Sequence, residues 1–247
     1  MISLKSKADI EGIRKSGAIV NQVLNSLAEI TKPGLATKNY DIKAEEIVHN
    51  YYNAKCAFKG YSGFPHSVCV SINEEVVHGF PSDRKLHEGD IVSLDFGVVY
   101  NGYYADSAIT VAVGAISAEA EELIETTRKS LYEGINQAKI GNDLSKISGA
   151  IENYVLSKNF SVVRDFVGHG VGFELHEDPQ VPNYVIKNYN VILEEGLVIA
   201  IEPMVNEKNY KVKIKKNHWT VITIDGGLSA HFEHTVAITQ NGPEILT

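Results

Sequence analysis

EGDIVSLD at residues 88–95 returns in altered form as EGLVIAIE at residues 195–202. Each segment reads as a turn that leads into an apolar β-strand, and each strand carries an acid, Asp95 in the first and Glu202 in the second. An ionised carboxylate in an apolar strand costs free energy unless a cation or hydrogen bonds compensate it. The two segments therefore predict matching strands, each with one costly acid.

A second pair of segments aligns acid with acid in the same way. DSAIT begins at Asp106 and resembles EHTVAIT, which begins at Glu233. Chance can produce one such match, but two matches of this kind indicate a repeated αβ unit. The chain is therefore predicted to be a single catalytic domain (1–247) made of two related halves, about 1–115 and 116–247. We expect the four acids to meet where the halves join.

Hydrophobic periodicity predicts the same order of elements in both halves. A helix is predicted over 6–31, with Ser6 as its N-cap, Asp9 three residues later and Pro33 beyond its end. Each half is predicted to begin with two helices, and short strands follow them. The other predicted helices span 38–54, 118–138 and 144–158, and the strands span 67–72, 91–99, 103–113, 197–204, 210–215, 218–224 and 233–239, with an extra hairpin near 206–225.

Composition is typical of an ordinary soluble globular protein. The 247 residues are 44% hydrophobic and 22% charged, and no apolar run approaches membrane-spanning length. The N-terminus lacks a secretory h-region, and Cys56 and Cys69 are too few for a disulfide framework, so we expect a cytoplasmic protein without membrane contact. The net charge of −8 argues against broad nucleic-acid binding. An acidic surface explains most of this charge, and a site for divalent cations explains the rest.

One histidine completes the predicted metal site. His169 lies in VGHGVG, where the flanking glycines leave the imidazole open. A single strand acid is equally well explained by exposure to solvent, but four acids at matching positions favour a metal site. Such a donor set suits Mn, Fe, Co, Ni or Zn and does not resemble a Cys-rich structural zinc site. Carboxylates can bridge two ions about 3.5–4 Å apart, an arrangement used for hydrolysis. The predicted ligands are Asp95, Asp106, His169, Glu202 and Glu233.

Five motifs together resemble those of the type I methionyl aminopeptidases, in order and in spacing. The resemblance covers nearly the whole chain. It implies an α+β fold of the pseudo-twofold pita-bread type, in which a curved antiparallel sheet is covered by two helix pairs. It also implies a metalloaminopeptidase that removes the initiator methionine from nascent proteins and peptides when the second residue is small. The motifs are NEEVVHGFP (73–81), SLDFGVVYNGYYADSAIT (93–110), GHGVGFELHEDP (168–179), AIEPMV (200–205) and SAHFEHTVAIT (229–239).

The resemblance implies how the ligands divide between two divalent ions. Asp106 and Glu233 would bridge the two ions. Asp95 would complete one ion, and His169 and Glu202 would complete the other. Which metal is loaded in the cell does not follow from affinity, because metal availability decides it.

The resemblance also implies catalytic roles for two histidines and one glutamate. His78 would contact the scissile amide, and His176 would bind the carbonyl oxygen or the developing oxyanion, where a donor must be aimed. Glu202 would move the proton. His78 taken alone would read more simply as a packed core histidine.

The same resemblance implies a methionine pocket with soft and aromatic walls, which suit a polarizable thioether. Each wall residue alone reads more simply as core. Cys69 belongs to the wall and is not a nucleophile, because no base motif accompanies it. Ser62 and Leu175 depart from the histidine and phenylalanine found in some relatives, which affects the shape of the pocket. The implied wall consists of Phe58, Tyr61, Phe64, Cys69, Leu175 and Trp219.

Three alternative functions remain open from the sequence. A prolidase or aminopeptidase P of the same fold usually has a large domain before its metal motifs, and Asp95 comes too early for one. A non-catalytic binding module of this fold would lose metal ligands. A mononuclear iron oxygenase needs two histidines and one carboxylate and leaves the other acids unexplained.

A run of alternating lysines marks the predicted hairpin. Lysines that protect an edge strand are the simpler interpretation. Contact with the ribosome is the alternative, because the resembled family acts on nascent chains. A monomer is expected from the same resemblance. The lysines are Lys211, Lys213, Lys215 and Lys216.

Overall fold

The computed structural model describes residues 2–247, which form four α-helices and fifteen β-strands. No helix among these residues is long and apolar enough to cross a membrane. The helices are α1 (Lys7–Ile30), α2 (Lys38–His49), α3 (Ala118–Ile135) and α4 (Ser145–Ser157). The strands are β1 (Ala54–Cys56), β2 (Cys69–Ile72), β3 (Glu75–Val77), β4 (Ile91–Tyr100), β5 (Tyr103–Ala112), β6 (Ser161–Val162), β7 (Gly168–Gly170), β8 (Glu177–Val181), β9 (Val198–Ile201), β10 (Met204–Asn206), β11 (Val212–Ile214), β12 (Val221–Thr223), β13 (Ser229–His231), β14 (Glu233–Thr239) and β15 (Gly242–Ile245).

Helix α1 begins where the sequence predicts it. The Ser6 hydroxyl accepts a hydrogen bond from the Asp9 N–H at 3.3 Å, and the Asp9 carboxylate accepts one from the Ser6 N–H at 2.9 Å. This capping box satisfies two backbone donors that a helix start leaves open. Ile13, Val20 and Leu27 are fully buried in the core that α1 shares with β4 and β5. Each such side chain contributes about 1.5–3 kcal/mol by burial, so packing holds the helix on the sheet.

Helix α2 is shorter than predicted. It ends at His49, and the prediction of helix to residue 54 is wrong for its last residues. Asn53 adopts a left-handed backbone conformation with φ of 67°, which a helix cannot contain. The chain then enters β1, which pairs with β4. Sheet pairing therefore overrides the local helical periodicity of this stretch.

The main sheet is antiparallel and has nine strands. Seven of them follow the order β1-β4-β5-β14-β9-β7-β8, while β2 pairs with β4 and β15 pairs with β14. The two strand pairs that carry the repeated sequence segments, β4–β5 and β9–β14, are neighbours, and Glu233 of β14 pairs with Ala108 of β5. The strands with the four predicted acids are therefore adjacent at the centre of the sheet.

The predicted strand at 197–204 is two strands. Strand β9 ends at Ile201, and β10 begins at Met204 in a separate three-stranded sheet with β6 and β13. Pro203 has no N–H for a ladder hydrogen bond, which accounts for the break. Glu202 thus lies just outside the ladder, where its carboxylate can turn into the cavity.

The predicted hairpin near 206–225 is confirmed as the antiparallel pair β11–β12. Strand β12 also pairs with β3, a strand that sequence periodicity did not reveal. The hairpin therefore packs against the segment that leads directly to His78.

Candidate metal centre and active site

The five predicted ligands surround one cavity of about 180 Å³. Neighbouring strands of the main sheet carry the acids, so the ladder sets the spacing of their backbones. Antiparallel pairing of β5 with β14 brings the two halves of the chain into direct contact at this point. The positions are Asp95 in β4, Asp106 in β5, Glu233 at the start of β14, Glu202 directly after β9 and His169 in β7.

Ligand atoms of Asp106, His169 and Glu233 all lie within 4.8 Å of one another. The Nε2 atom of His169 is 3.5 Å from Asp106 Oδ2 and 3.5 Å from Glu202 Oε1. Its Nδ1 atom lies 3.0 Å from the carbonyl oxygen of Gly170. Because a carbonyl only accepts, Nδ1–H is the donor there, which leaves the Nε2 lone pair facing the acids. Such a backbone contact is the usual way in which a metal-binding imidazole is oriented.

The acids lie in an environment that opposes their charge. Burial raises the pKa of Asp106 to about 6. Burial, and after it repulsion from the neighbouring carboxylates, raises the pKa values of Asp95, Glu202 and Glu233 well above their ordinary range. Burial lowers the pKa of His169 to about 4, so this imidazole is neutral at pH 7 and available as a ligand.

The donor set fits divalent cations. Asp95 Oδ1 is buried without a hydrogen-bond partner, and among residues 2–247 no Lys or Arg forms an ion pair with any of the four acids. Clustered buried carboxylates without cationic partners are costly unless a metal compensates them. A hydrogen bond of 3.1 Å from Thr235 Oγ1 reaches Asp106 Oδ1, but it satisfies only one oxygen. The residues present therefore suit hard or borderline divalent ions.

Two further histidines border the same cavity. His176 is the last residue of the loop between β7 and β8, and its Nδ1 atom is 2.8 Å from the Tyr61 hydroxyl. The His169 and His176 rings meet edge to face with centroids 4.3 Å apart. His78 follows β3 with a φ of 58°, a left-handed conformation that turns the chain at this point. Burial lowers the pKa values of His78 and His176 to about 4, so both rings are neutral hydrogen-bonding groups at pH 7.

The same cavity also has an apolar wall. All six residues predicted for the pocket line it, together with Ser62. The Phe64 ring meets the Trp219 ring at a centroid distance of 5.2 Å, and Tyr61 is 41% exposed. Cys69 is a free, buried thiol, and burial raises its pKa well above the ordinary value, so it is not a thiolate.

The cavity opens into a larger groove of about 820 Å³. His78, His169, His176 and Glu202 line both spaces. Phe166 lines only the groove, and its ring packs edge-on against the His78 ring with centroids 5.6 Å apart. The site therefore consists of a small apolar pocket, a group of acids and histidines, and an open groove beyond them.

His231 is a site residue that the sequence reasoning missed. It lies in β13, is 1% exposed, and its Nε2 atom is 3.7 Å from Glu202 Oε2. Neither ring nitrogen has a hydrogen-bond partner, and burial lowers its pKa to about 3. Because side chains alternate along an extended chain, the position of His231 two residues before Glu233 indicated that both side chains lie on the same side of the chain.

Buried acids around an open imidazole, next to a pocket and a groove, are typical of a metal-dependent hydrolase. The family description "Metallopeptidase family M24" matches residues 11–240. A methionine aminopeptidase of Clostridium acetobutylicum is 53% identical over 248 residues, which cover 100% of this chain and 99% of the relative. The chain belongs to the methionine aminopeptidases of metallopeptidase family M24.

Comparison of structures agrees with this assignment. The methionine aminopeptidase of Thermotoga maritima matches with a TM-score of 0.97 and 46% identity, covering 100% of this chain and 99% of that one. The prolidase of Pyrococcus horikoshii matches with a TM-score of 0.79 and 25% identity, covering 99% of this chain but 63% of the prolidase. The predicted pita-bread fold of class α+β is thereby confirmed, and the prolidase is longer, as the sequence argument expects.

Proposed function

We propose that this protein removes N-terminal methionine from peptides and nascent chains whose second residue is small. The observation that carries the proposal is the small apolar pocket that ends directly on the buried acids. The free α-amino group of a substrate would lie near the acids, and the methionine side chain would fill the pocket. The remainder of the peptide would follow the open groove.

We propose the five residues Asp95, Asp106, His169, Glu202 and Glu233 as ligands of two divalent ions. Asp106 and Glu233 would bridge the ions, Asp95 would complete one, and His169 with Glu202 would complete the other. Ligand atoms of Asp106, His169 and Glu233 lie close enough to one another to share an ion, which supports a metal site at this point. When bound, the ions lower the pKa of water and polarise the peptide carbonyl. The donor set suits Co, Mn, Fe, Ni or Zn.

The protein groups around the acids would position the substrate and move its protons. We propose that His78 contacts the scissile amide and that His176 donates to the carbonyl oxygen as negative charge develops there. Both rings are neutral at pH 7, so each can donate one N–H while accepting at its other nitrogen. Glu202 lines both the pocket and the groove, which suits it to carry a proton towards the leaving amine.

The wall of the pocket would select methionine. Phe58, Tyr61, Phe64, Cys69, Leu175 and Trp219 present aromatic and soft surfaces that suit a flexible thioether. Phe166 and His78 would meet the second residue at the entrance to the groove, so a large side chain there would be excluded. A neutral Cys69 thiol fits a role as wall and not as nucleophile.

The deciding experiment is metal-titrated hydrolysis of Met-Ala-Ser with identification of the products. We expect free methionine from Met-Ala-Ser, little from Met-Lys-Ser, and no Met-independent cleavage of Xaa-Pro dipeptides. Asp106→Asn is the inactive control. Cleavage of Ala-Pro as fast as Met-Ala-Ser would favour an X-Pro peptidase. Absence of hydrolysis with every metal would favour a non-catalytic binding module.

We also propose a cytoplasmic monomer, formed as one catalytic domain from halves 1–115 and 116–247, that acts at the ribosome. Free Cys56 and Cys69 thiols suit a reducing compartment. The lysines of the hairpin support ribosome contact only in part, because Lys215 already pairs with Glu75 at 2.6 Å. The lysines left exposed are Lys211, Lys213 and Lys216.

Ribosome co-sedimentation tests the lysine proposal. Charge reversal of the three exposed lysines to glutamate should reduce binding. A matched control makes the same change at Lys139, Lys146 and Lys158, which are exposed in and around α4. If the two triple variants bind equally well, the hairpin lysines protect a strand edge instead.

A further inference from the structure

The loop at 172–177 carries two residues of the site and has little backbone support of its own. Leu175 lines the pocket, and His176 borders both cavities. The loop joins β7 to β8, and its start is fixed by a hydrogen bond from the Tyr104 N–H to the Gly172 carbonyl at 2.7 Å. A second bond of 3.1 Å runs inside the loop from Gly172 N–H to the Glu174 carbonyl. The far end of the loop enters β8 at Glu177, which pairs with Gly170 of β7. Contacts from side chains are left to hold the residues between these two ends.

Glu177 supplies those contacts. Its Oε1 atom accepts hydrogen bonds from the Phe173 N–H at 2.7 Å and from the Glu174 N–H at 3.0 Å. Its Oε2 atom accepts from Lys5 Nζ, and its side chain is 9% exposed. One carboxylate thus accepts hydrogen bonds from two amides of the loop and from one distant ammonium group. These hydrogen bonds are charge-assisted and therefore stronger than neutral ones.

Lys5 comes from the extended segment before α1, far from the loop in sequence. Its side chain is 0% exposed, and its N–H donates to the Gly196 carbonyl at 2.7 Å. The ammonium group also donates to the Ser3 carbonyl at 3.0 Å and lies 5.2 Å from the centroid of the Phe173 ring. A buried ammonium is costly without such partners. Its only carboxylate partner among the described residues is Glu177.

Gly172 leaves room for this arrangement. A Cβ atom there would lie 2.8 Å from Lys5 Cε and 2.8 Å from Ile13 Cδ1, and its φ of 143° also favours glycine. The aliphatic stem of Lys5 therefore passes directly against the loop backbone. Any larger residue at 172 would displace either the Lys5 stem or the Ile13 side chain.

We propose that Lys5 and Glu177 are positioning residues that form a buried latch for the 172–177 loop and thereby aim His176 at the reacting carbonyl. Glu177 directly follows His176 and binds the Phe173 and Glu174 amides on the other side of it, so it can set the direction of the His176 ring. With the latch intact, His176 meets both Tyr61 and the His169 ring. A displacement of about 1 Å in such a group is enough to cost up to about a hundredfold in rate. The inference rests on the proposed function only for the part that His176 plays in catalysis.

The test compares Lys5→Met, Glu177→Gln and the double variant, each loaded with the same metal. Lys5→Met leaves Glu177 charged without its cation, and Glu177→Gln leaves Lys5 buried without an anion. We expect kcat for Met-Ala-Ser to fall about 10- to 100-fold in each single variant, with little change in KM. The double variant should lose no more than the poorer single variant, because both changes break one contact.

Two readouts that do not depend on activity accompany the kinetics. Hydrogen exchange at the Phe173 and Glu174 amides should become faster in both single variants, and the ring NMR signals of His176 should shift or broaden. Two controls separate aiming from general damage. Lys129→Met removes a lysine from an exposed ion pair on α3. Ile151→Val loosens the buried core under α4 and provides a loss of stability remote from the loop.

We expect both controls to keep kcat, the His176 signals and the loop amides unchanged. Unchanged kcat in Lys5→Met and Glu177→Gln would overturn the proposal. So would a fall in kcat with unaltered loop amides and His176 signals, or the same fall in Ile151→Val. If the wild-type protein releases no methionine at all, the proposed function fails, while hydrogen exchange and NMR still decide whether the latch holds the loop.

Discussion

Two sets of site residues are held in contrasting ways. The acids Asp95, Asp106 and Glu233 project from paired strands at the centre of the sheet, and their backbones are spaced by ladder hydrogen bonds. His78 and His176 instead lie at the ends of short strands, in segments positioned by side chains from elsewhere in the chain. The Thr220 hydroxyl donates to the His78 carbonyl at 3.2 Å. The Glu177 carboxylate accepts a hydrogen bond from the backbone of the loop that carries His176.

The contrast separates two physical tasks. The central acids need fixed spacing in a dry interior, and a sheet supplies it from local pairing. The histidine rings need a defined orientation, which several distant contacts set together. Their orientation is therefore more sensitive to changes far from the site. We therefore expect strand variants to lose metal and loop variants to lose turnover while keeping the metal.

The largest expected effect is at a strand acid. Asp106→Asn removes a charge at the centre of the cluster, so affinity for Mn²⁺ or Co²⁺ should fall strongly and methionine release should drop below detection. Calorimetric titration of the metal-free protein measures the first quantity, and peptide hydrolysis measures the second. Wild-type metal affinity in this variant would contradict the assignment of Asp106 as a ligand.

His176→Ala tests the loop side of the comparison. Loss of one donor to developing charge costs about 2.7–4 kcal/mol, so kcat should fall about 100- to 1,000-fold. The metal affinity measured by titration should stay close to that of the wild type. A variant that loses metal as readily as Asp106→Asn would show that strand and loop residues are not separable in this way.

The pH dependence of the metal-free protein tests the burial of the acids. Because burial raises the pKa of Asp106 from 3.8 to about 6, the folded state favours its protonated form. The resulting stability is present below about pH 4 and is lost as pH rises through about 6, with a size of ~3 kcal/mol. The free energy of unfolding, measured with urea between pH 4 and 7, should therefore fall more in the wild type than in Asp106→Asn.

Added Mn²⁺ is the control for this pH experiment. The cation should remove most of the loss at pH 7, because it compensates the ionised carboxylates and stabilises the folded state by mass action. If the free energy of unfolding changes with pH in the same way in the wild type and in Asp106→Asn, the raised pKa of Asp106 is ruled out.

Tyr61→Phe is expected to give the smallest effect. The change removes the hydroxyl that lies 2.8 Å from His176 Nδ1 and leaves the ring in the pocket wall. A single neutral hydrogen bond is worth about 0.5–1.5 kcal/mol, so kcat should fall about 2- to 10-fold. Steady-state kinetics on Met-Ala-Ser measures the effect, and Tyr132→Phe, a partly exposed tyrosine on α3, is the matched control. Equal kcat in both variants would mean that Tyr61 does not orient His176.

Local patterns revealed the parts of the molecule that local physics governs. The capping box of Ser6 and Asp9 was readable because its partners are three residues apart. The repeated strand segments revealed Asp95 and Glu202, since an acid in an apolar strand is unusual wherever it occurs. Strand β3 and the end of α2 were not readable, because each depends on pairing with a segment that is remote in sequence.

The sequence by itself determined the class of fold, the two acid-bearing repeats and the motif set that resembles the methionine aminopeptidases. Hydrophobic periodicity, caps and short motifs are local properties, so one chain of letters contains them. Only the tertiary structure decided that His231 faces Glu202, that Pro203 ends β9, and that Lys5 reaches the loop of His176. The physical reason is that burial and long-range ion pairs depend on which segments meet, and that is a property of the whole fold.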